Sequence, residues 1–130
     1  MKDGNASVKT ILVVEDEPAI SEVCRRVLTS EGFEVEIAVN GLVAQNMIEE
    51  RQYDLCLIDI RTPQMNGKEL YQWLKEKPQP LASRVIFTTG DVMGGDTQQF
   101  LEQAACPFLP KPFTPDELKA IMREVLSRQK

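Results

Sequence analysis

The chain has 130 residues, of which 42% are hydrophobic and 27% charged, a composition that predicts one folded domain with a single core and excludes a disordered chain. Its formal net charge is -5 and no stretch is dense in Lys or Arg, so direct nucleic-acid binding is not expected. The apolar runs are too short to cross a bilayer and the polar start lacks a signal-peptide core, which predicts a cytoplasmic protein without membrane insertion.

Five short β-rich runs alternate with amphipathic segments along the chain. The predicted strands are Thr10 to Val14, Glu34 to Ala38, Leu55 to Ile58, Arg84 to Thr89 and Cys106 to Leu109. Their Val, Ile and Leu content is typical of strands buried on both faces, which predicts a parallel sheet with helices on each side. Right-handed crossovers between such strands give a doubly wound α/β sandwich.

The clearest of the five predicted helices follows the last strand. Thr114 is suited to cap it, Pro115 to occupy its first turn, and Glu117 to complete a capping box. The earlier helices are predicted to end at Gly32, to span about Leu42 to Glu50, to end before Pro78, and to span about Thr97 to Ala104. The domain is therefore assigned to residues 9–128, and residues 1–8 are expected to form a disordered tail.

Polar side chains follow the ends of four predicted strands. Glu15 and Asp16 follow the first strand, Asp59 the third, Thr89 ends the fourth, and Lys111 lies just beyond the fifth. In an open parallel sheet, ligands bind outside the carboxyl ends of the strands. The chain contains no histidine, so chemistry at this edge must use carboxylates, hydroxyls and amines.

A carboxylate cluster at this edge predicts a metal site and a phosphoryl acceptor. Glu15, Asp16 and Asp59 would repel one another without a hard cation, and oxygen ligands favour Mg²⁺. A free carboxylate beside such a metal can attack phosphorus, because the cation neutralises the phosphoryl oxygens. Lys111 and the Thr89 hydroxyl could bind the remaining oxygens.

Each of these residues also has an ordinary structural interpretation. The acids before Pro18 could mark only a helix start, where the helix dipole favours negative charge. Thr89 could be a β-branched strand terminus, and Lys111 could belong to a turn. Asp59 is harder to explain in this way, because Asn or Ser would serve equally well at the end of a strand. The combination at four strand ends favours one shared site.

Four segments, in this order and at this spacing, resemble the receiver domains of response regulators in two-component systems. The segments are Ile11 to Pro18, Asp59 to Gly67, Thr89 to Gly90, and Lys111 to Phe113. The resemblance covers roughly Lys9 to Leu126. It implies a flavodoxin-like (βα)5 three-layer sandwich whose five-stranded parallel sheet has the strand order 2-1-3-4-5. It also implies a cis bond between Lys111 and Pro112, a state open mainly to proline.

The resemblance implies a role for each matching residue. Asp59 would accept a phosphoryl group from a histidine kinase or a histidine phosphotransfer domain, and Thr89 and Lys111 would bind that group. The implied Mg²⁺ ligands are Glu15, Asp16, Asp59 and the backbone carbonyl of Arg61. Phe108 occupies the aromatic switch position, although it could instead be a half-buried core aromatic. Two departures leave the assignment in place: many members have Asp at position 15, and Phe108 lacks the hydroxyl of a Tyr switch.

The resemblance also implies what kind of protein this is. It would be a phosphorelay signalling protein and not an enzyme, because it catalyses only its own phosphorylation and dephosphorylation. Phosphorylation would alter the surface formed by the fourth helix, fifth strand and fifth helix, where a downstream protein partner binds. A stand-alone regulator and the receiver module of a hybrid sensor histidine kinase both fit the sequence.

Two other functions are alternatives to a phosphoryl-accepting receiver. A magnesium phosphohydrolase of the haloacid-dehalogenase type also uses an aspartate after a parallel strand, but it needs a second acid where Arg61 stands. A degenerate receiver acting only as an interaction module is disfavoured by the complete set of site residues.

Two further charged residues could set how long phosphorylated Asp59, an acyl phosphate, persists. Arg61 and Asp91 lie two positions after Asp59 and Thr89, so both are predicted to flank the mouth of the site. Paired there, they would slow hydrolysis; alternatively, they are solvated loop charges.

Overall fold

A single parallel sheet forms the centre of the protein in a computed structural model, which describes residues 8–77, 80–90 and 95–127. The strands are β1 (Thr10–Val14), β2 (Glu34–Ala38), β3 (Leu55–Asp59), β4 (Val85–Thr89) and β5 (Phe108–Pro110). Their order in the sheet is β2-β1-β3-β4-β5, and all the pairings are parallel. The predicted fold class and strand order are therefore confirmed, and the order reverses between β1 and β3, where ligands bind in such sheets.

Helices cover both faces of the sheet, as predicted. They are α1 (Pro18–Ser30), α2 (Gly41–Glu50), α3 (Gly67–Lys75), α4 (Gly95–Ala104) and α5 (Pro115–Ser127). One apolar core lies between the sheet and helices α1 and α5, and a second lies between the sheet and helices α2, α3 and α4. These two cores make the three layers of the sandwich.

Capping side chains fix where several helices begin. Thr114 and Glu117 form the predicted capping box, because each side chain accepts a hydrogen bond from the other residue's backbone N–H. Asn66 and Glu69 form the same arrangement at the start of α3. That second box begins the helix directly after the loop that follows β3.

Burial of the strands differs between the centre and the edges of the sheet. Every residue of β1, β3 and β4 is buried, whereas β2 and β5 are partly exposed. The expectation of strands buried on both faces is thus right for the centre and wrong for the edges, because an edge strand has a neighbour on one side only.

Strands β4 and β5 begin later than predicted. Arg84 belongs to a 3₁₀ turn, Pro80–Arg84, that precedes β4, and β5 begins at Phe108, two residues after the predicted start at Cys106. Residues 1–7 and 128 lie outside the described residues, so the predicted tail and domain boundaries stay predictions. Within the described ranges, no helix combines the length and apolar character needed to span a bilayer.

Candidate functional site

The two acids after β1 differ in their surroundings. The backbone N–H of Glu15 donates to the carbonyl of Ala38 at 2.9 Å, which extends the pairing of β1 with β2. The Glu15 side chain is buried, and its Oε2 accepts a hydrogen bond from the Glu17 N–H at 3.1 Å. Asp16 is exposed. Glu15 is therefore held inside the protein, while Asp16 faces the solvent.

Asp59 ends β3 with both of its carboxylate oxygens engaged. The side chain is buried, and its neighbour in the register of the sheet is Thr88 of β4. Its Oδ1 accepts a hydrogen bond from the backbone N–H of Arg61 at 3.1 Å. Its Oδ2 accepts one from Lys111 Nζ at 2.9 Å. These two contacts fix the orientation of the carboxylate.

Lys111 contacts acids at the β1–α1 junction and at the end of β3. Its backbone N–H donates to the Thr89 carbonyl at 2.8 Å, and its bond to the following proline is cis, as the resemblance implied. Lys111 Nζ lies 2.9 Å from Glu15 Oε1, 2.9 Å from Asp59 Oδ2 and 3.7 Å from Glu17 Oε1. One ammonium thus contacts three carboxylates.

The pKa values of Glu15 and Lys111 are both raised, for different reasons. Burial is the largest influence on Glu15 and raises the pKa of its carboxyl; Lys111 opposes this and Asp59 adds to it, which leaves the pKa raised. For Lys111, burial lowers the pKa, but hydrogen bonds with Asp59 and Glu15 outweigh it, so the pKa is raised overall. The amine therefore stays an ammonium at neutral pH.

The carboxylates are close enough to share a cation. One oxygen from each of Glu15, Asp16 and Asp59 lies within 4.8 Å of the other two. Across the described ranges, this is the one group of three or more acidic, cysteine or histidine ligands with such spacing. An all-oxygen set that combines buried and exposed carboxylates fits a hard divalent cation that keeps part of its water shell.

A cleft of about 340 Å³ opens to the surface beside Asp16 and Asp59. Its walls are formed by Asp16, Glu17, Asp59, Arg61, Gly90 and Lys111. Arg61 is exposed at this mouth. Asp91, its predicted partner, lies outside the described residues, so the pairing across the mouth stays a prediction.

The two residues of the predicted switch differ in burial. Thr89 is fully buried at the end of β4. Phe108 begins β5 next to Phe87 of β4, and 41% of its surface is exposed. Its ring is therefore accessible from the surface and not enclosed in the core.

Glu17 is a site residue to which the sequence reasoning gave no role. It stands at the N-cap of α1, but its side chain makes no capping hydrogen bond. Its carboxylate instead lies 3.7 Å from Lys111 Nζ and lines the cleft. The signal was present as the third acid in the run before Pro18.

Comparison with known proteins identifies the family. Residues 11–123 match the family described as the response regulator receiver domain. Response regulator Rre1 of Synechocystis is 36% identical over 121 residues, which cover 92% of this chain and 52% of the relative. Response regulator MprA of Mycobacterium avium is 35% identical over 120 residues, with 92% and 52% covered. The chain spans about half the length of these curated relatives.

Solved structures give the same result. A CheY-like receiver domain protein from Methanospirillum hungatei superposes with a TM-score of 0.85 at 31% identity, covering 95% of this chain and 97% of that one. The receiver domain of a sensor histidine kinase from Pseudomonas aeruginosa, which has magnesium coordinated in its active site cleft, gives 0.80 at 29% identity, with 93% and 99% covered. The chain belongs to the receiver domain family of two-component response regulators.

Proposed function

We propose that Asp59 is the phosphoacceptor of this receiver domain and takes its phosphoryl group from the phosphohistidine of a histidine kinase or a histidine phosphotransfer domain. The observation that carries this proposal is the buried Asp59 carboxylate, which is oriented by Lys111 and Arg61 and lies within a cluster of acids. A carboxylate placed beside a cation is a competent nucleophile toward phosphorus.

The cofactor in this proposal is Mg²⁺. The proposed ligands are Glu15, Asp16, Asp59 and the backbone carbonyl of Arg61. When bound, the ion supplies positive charge that offsets the negative charge of the phosphoryl oxygens during transfer. The spacing and all-oxygen chemistry of the three carboxylates support this choice of metal.

The transfer itself needs little from the protein beyond positioning. A carboxylate oxygen of Asp59 forms a bond to phosphorus while the bond from phosphorus to the imidazole nitrogen breaks, and the imidazole keeps the electron pair. Asp59 has no proton to lose, since it reacts as a carboxylate. The ammonium of Lys111 and the hydroxyl of Thr89 then bind the phosphoryl oxygens. Later attack by water on phosphorus returns the free carboxylate and releases phosphate, so the domain catalyses only its own modification.

In this proposal, phosphorylation changes the surface that a downstream protein binds. Thr89 moves toward the phosphoryl oxygens and leaves space into which the Phe108 ring turns from its exposed position. Two discrete packings of these side chains would switch the surface of α4, β5 and α5 for a downstream protein. The exposed ring of Phe108 supports the idea, since it can turn from the surface into space that Thr89 leaves.

The lifetime of the signal in this proposal depends on the mouth of the cleft. Arg61 lines that mouth, where its long side chain can restrict the approach of water in line with the acyl phosphate bond. We assign Asp91 as its partner. The pair would open for the phosphohistidine of the donor and close behind it.

Intact mass after incubation with acetyl phosphate and Mg²⁺ tests the proposed acceptor. The wild type should gain one phosphoryl group, and Asp59→Asn should gain none, because the amide keeps the shape of the side chain but is not a nucleophile. Asp54→Asn is the matched control, since Asp54 accepts the Thr10 N–H at the opposite end of the sheet, and it should be phosphorylated normally. A phosphorylated Asp59→Asn protein would overturn the assignment.

A further inference from the structure

The start of α2 docks on the loop after β3 without an intervening side chain. A Cβ placed on Gly41 would lie 1.9 Å from the carbonyl oxygen of Met65 and 2.9 Å from its carbonyl carbon. The next residue, Leu42, donates its N–H to the carbonyl of Gln64 at 3.1 Å. The φ of Gly41 is not in the left-handed region, so space and not backbone conformation requires glycine here.

The part of the loop under α2 has a strained backbone. Gln64 and Met65 are consecutive non-glycine residues with φ of 48° and 72°. Side chains disfavour this left-handed region, and such conformations persist only where the surroundings impose them. The contact with Gly41 and the hydrogen bond from Leu42 are two of those constraints.

The other end of the loop returns to the phosphoacceptor. The N–H of Gly67 donates to the Ile60 carbonyl at 2.9 Å, and a Cβ on Gly67 would lie 2.9 Å from the backbone oxygen of Asp59. The loop therefore begins and ends beside Asp59, and between these points it contacts the start of α2. A Cβ at position 41 would meet the backbone carbonyl group of Met65, which cannot move aside as the end of a side chain can. Relieving that contact must therefore shift the loop or the start of α2.

We propose that Gly41 is a positioning residue for the phosphoacceptor site. Its lack of a side chain lets α2 hold the loop after β3 in the conformation that sets the Arg61 carbonyl and the Asp59 carboxylate for the metal and the phosphoryl group. This inference rests on the proposed function of Asp59. It adds a residue that lies outside the cleft and contacts neither the metal nor the donor.

Gly41→Ala tests the inference by filling the space against Met65. The Mg²⁺ dissociation constant, measured by calorimetry, should rise about tenfold, as when supporting groups around metal ligands are lost. Phosphorylation at saturating Mg²⁺ should slow by about tenfold to a hundredfold, since small displacements of positioned groups have that effect. The amide chemical shifts of Ile60 and Arg61 should change in the metal-free protein as well.

A second variant removes the hydrogen bond without adding bulk at position 41. Leu42→Pro deletes the N–H that reaches Gln64 and directs the ring Cδ at the Gln64 carbonyl, so it should displace the loop at its second contact with α2. The first turn of a helix tolerates proline because that N–H has no intrahelical partner. The Leu42 side chain is 45% exposed, so little packing is lost. This variant should weaken Mg²⁺ binding in the same direction, and it keeps the inference testable if Gly41→Ala does not fold.

Two controls separate positioning from loss of stability. Gly95→Ala adds a Cβ that meets no atom of the described residues within 4 Å, and it should behave as the wild type. Leu118→Ala removes a buried side chain from the core on the other face of the sheet, so it should lower stability without changing Mg²⁺ affinity.

Three results would count against the proposal, and they differ in what they overturn. Normal Mg²⁺ affinity in Gly41→Ala and Leu42→Pro overturns this inference alone. Equal loss of affinity in Leu118→Ala shows that stability and not positioning is responsible, which also overturns it. A wild type that neither binds Mg²⁺ nor accepts phosphoryl overturns the proposed function and, with it, this inference.

Discussion

Polar groups are paired differently at the two ends of the sheet. At the amino end, the Thr10 N–H donates to Asp54 Oδ2 at 2.7 Å, the Tyr53 hydroxyl donates to Glu36 Oε1 at 2.6 Å, and Arg51 pairs with the same Glu36 carboxylate. Burial and then the bond to Glu36 raise the pKa of Tyr53, so its phenol stays neutral. Each of these two carboxylates accepts a hydrogen bond at this end, and that of Glu36 is also paired with a guanidinium.

At the carboxyl end, negative charge exceeds positive charge. Glu15, Asp59 and Glu17 all contact one ammonium, that of Lys111, and Asp16 adds a further carboxylate within 4.8 Å of Glu15 and Asp59. Excess buried charge of one sign opposes folding unless a ligand offsets it. Paired polar groups therefore stabilise this fold at one end of the sheet, whereas the excess carboxylates at the other end mark where it binds a cation.

The largest expected effect is the loss of Mg²⁺ affinity when Asp16, one of the excess carboxylates, is removed. Mg²⁺ should stabilise the wild type by about 1.4 kcal/mol at a free concentration ten times the dissociation constant. Asp16→Ala should weaken Mg²⁺ binding by about a hundredfold, or ~2.7 kcal/mol, and so lose this stabilisation. Thermal unfolding with and without Mg²⁺ measures it. A wild-type melting temperature that does not respond to millimolar Mg²⁺ would show that the carboxylates do not form a metal site.

In Thr89→Ala, phosphorylation of Asp59 should no longer change the surface around Phe108. The variant should still accept phosphoryl on Asp59, but it should lose most of a coupling free energy that is typically about 1–3 kcal/mol between linked sites. The measurement is the change in NMR chemical shifts around Phe108 on phosphorylation. Shifts that respond identically in wild type and variant would mean that Thr89 does not connect the carboxyl end to the β5 surface.

A smaller effect is expected at the rim of the cleft. Arg61→Ala should speed loss of the phosphoryl group by about tenfold, which corresponds to ~1.4 kcal/mol of barrier, because water gains access to phosphorus. The decay of the phosphorylated mass over time measures it, with Asp91→Ala expected to follow in the same direction. If both variants decay at the wild-type rate or more slowly, these charges are ordinary solvated groups.

The smallest effect belongs to the amino end. Tyr53→Phe removes one hydrogen bond to Glu36, whose carboxylate keeps Arg51 as a partner, so unfolding should become easier by about 1 kcal/mol. Urea denaturation gives this value, while phosphorylation and Mg²⁺ affinity should equal those of the wild type. A change in either of those functions would contradict the division of the sheet into a structural end and a functional end.

Much of the fold could be predicted because its signals are local. The apolar runs of the central strands and the Thr114 and Glu117 capping box are read from neighbouring residues, and both were confirmed. The exposure of β2 and β5 was not predicted, because edge positions depend on which strand lies beside which. The late start of β5 was missed for a related reason: its pairing with β4 begins at Phe108, and the apolar character of Cys106 does not indicate this.

The sequence alone determined which residues stand at the carboxyl ends of the strands, since each lies directly after a run with a recognisable local pattern. Only the tertiary structure decided their distances. Lys111 is 52 positions from Asp59 along the chain, yet its Nζ lies 2.9 Å from Oδ2 because β3, β4 and β5 are adjacent in the sheet. The same holds for Gly41, whose need for glycine becomes apparent only where α2 meets Met65. Contacts between distant segments depend on how layers pack, and no short-range pattern encodes that packing.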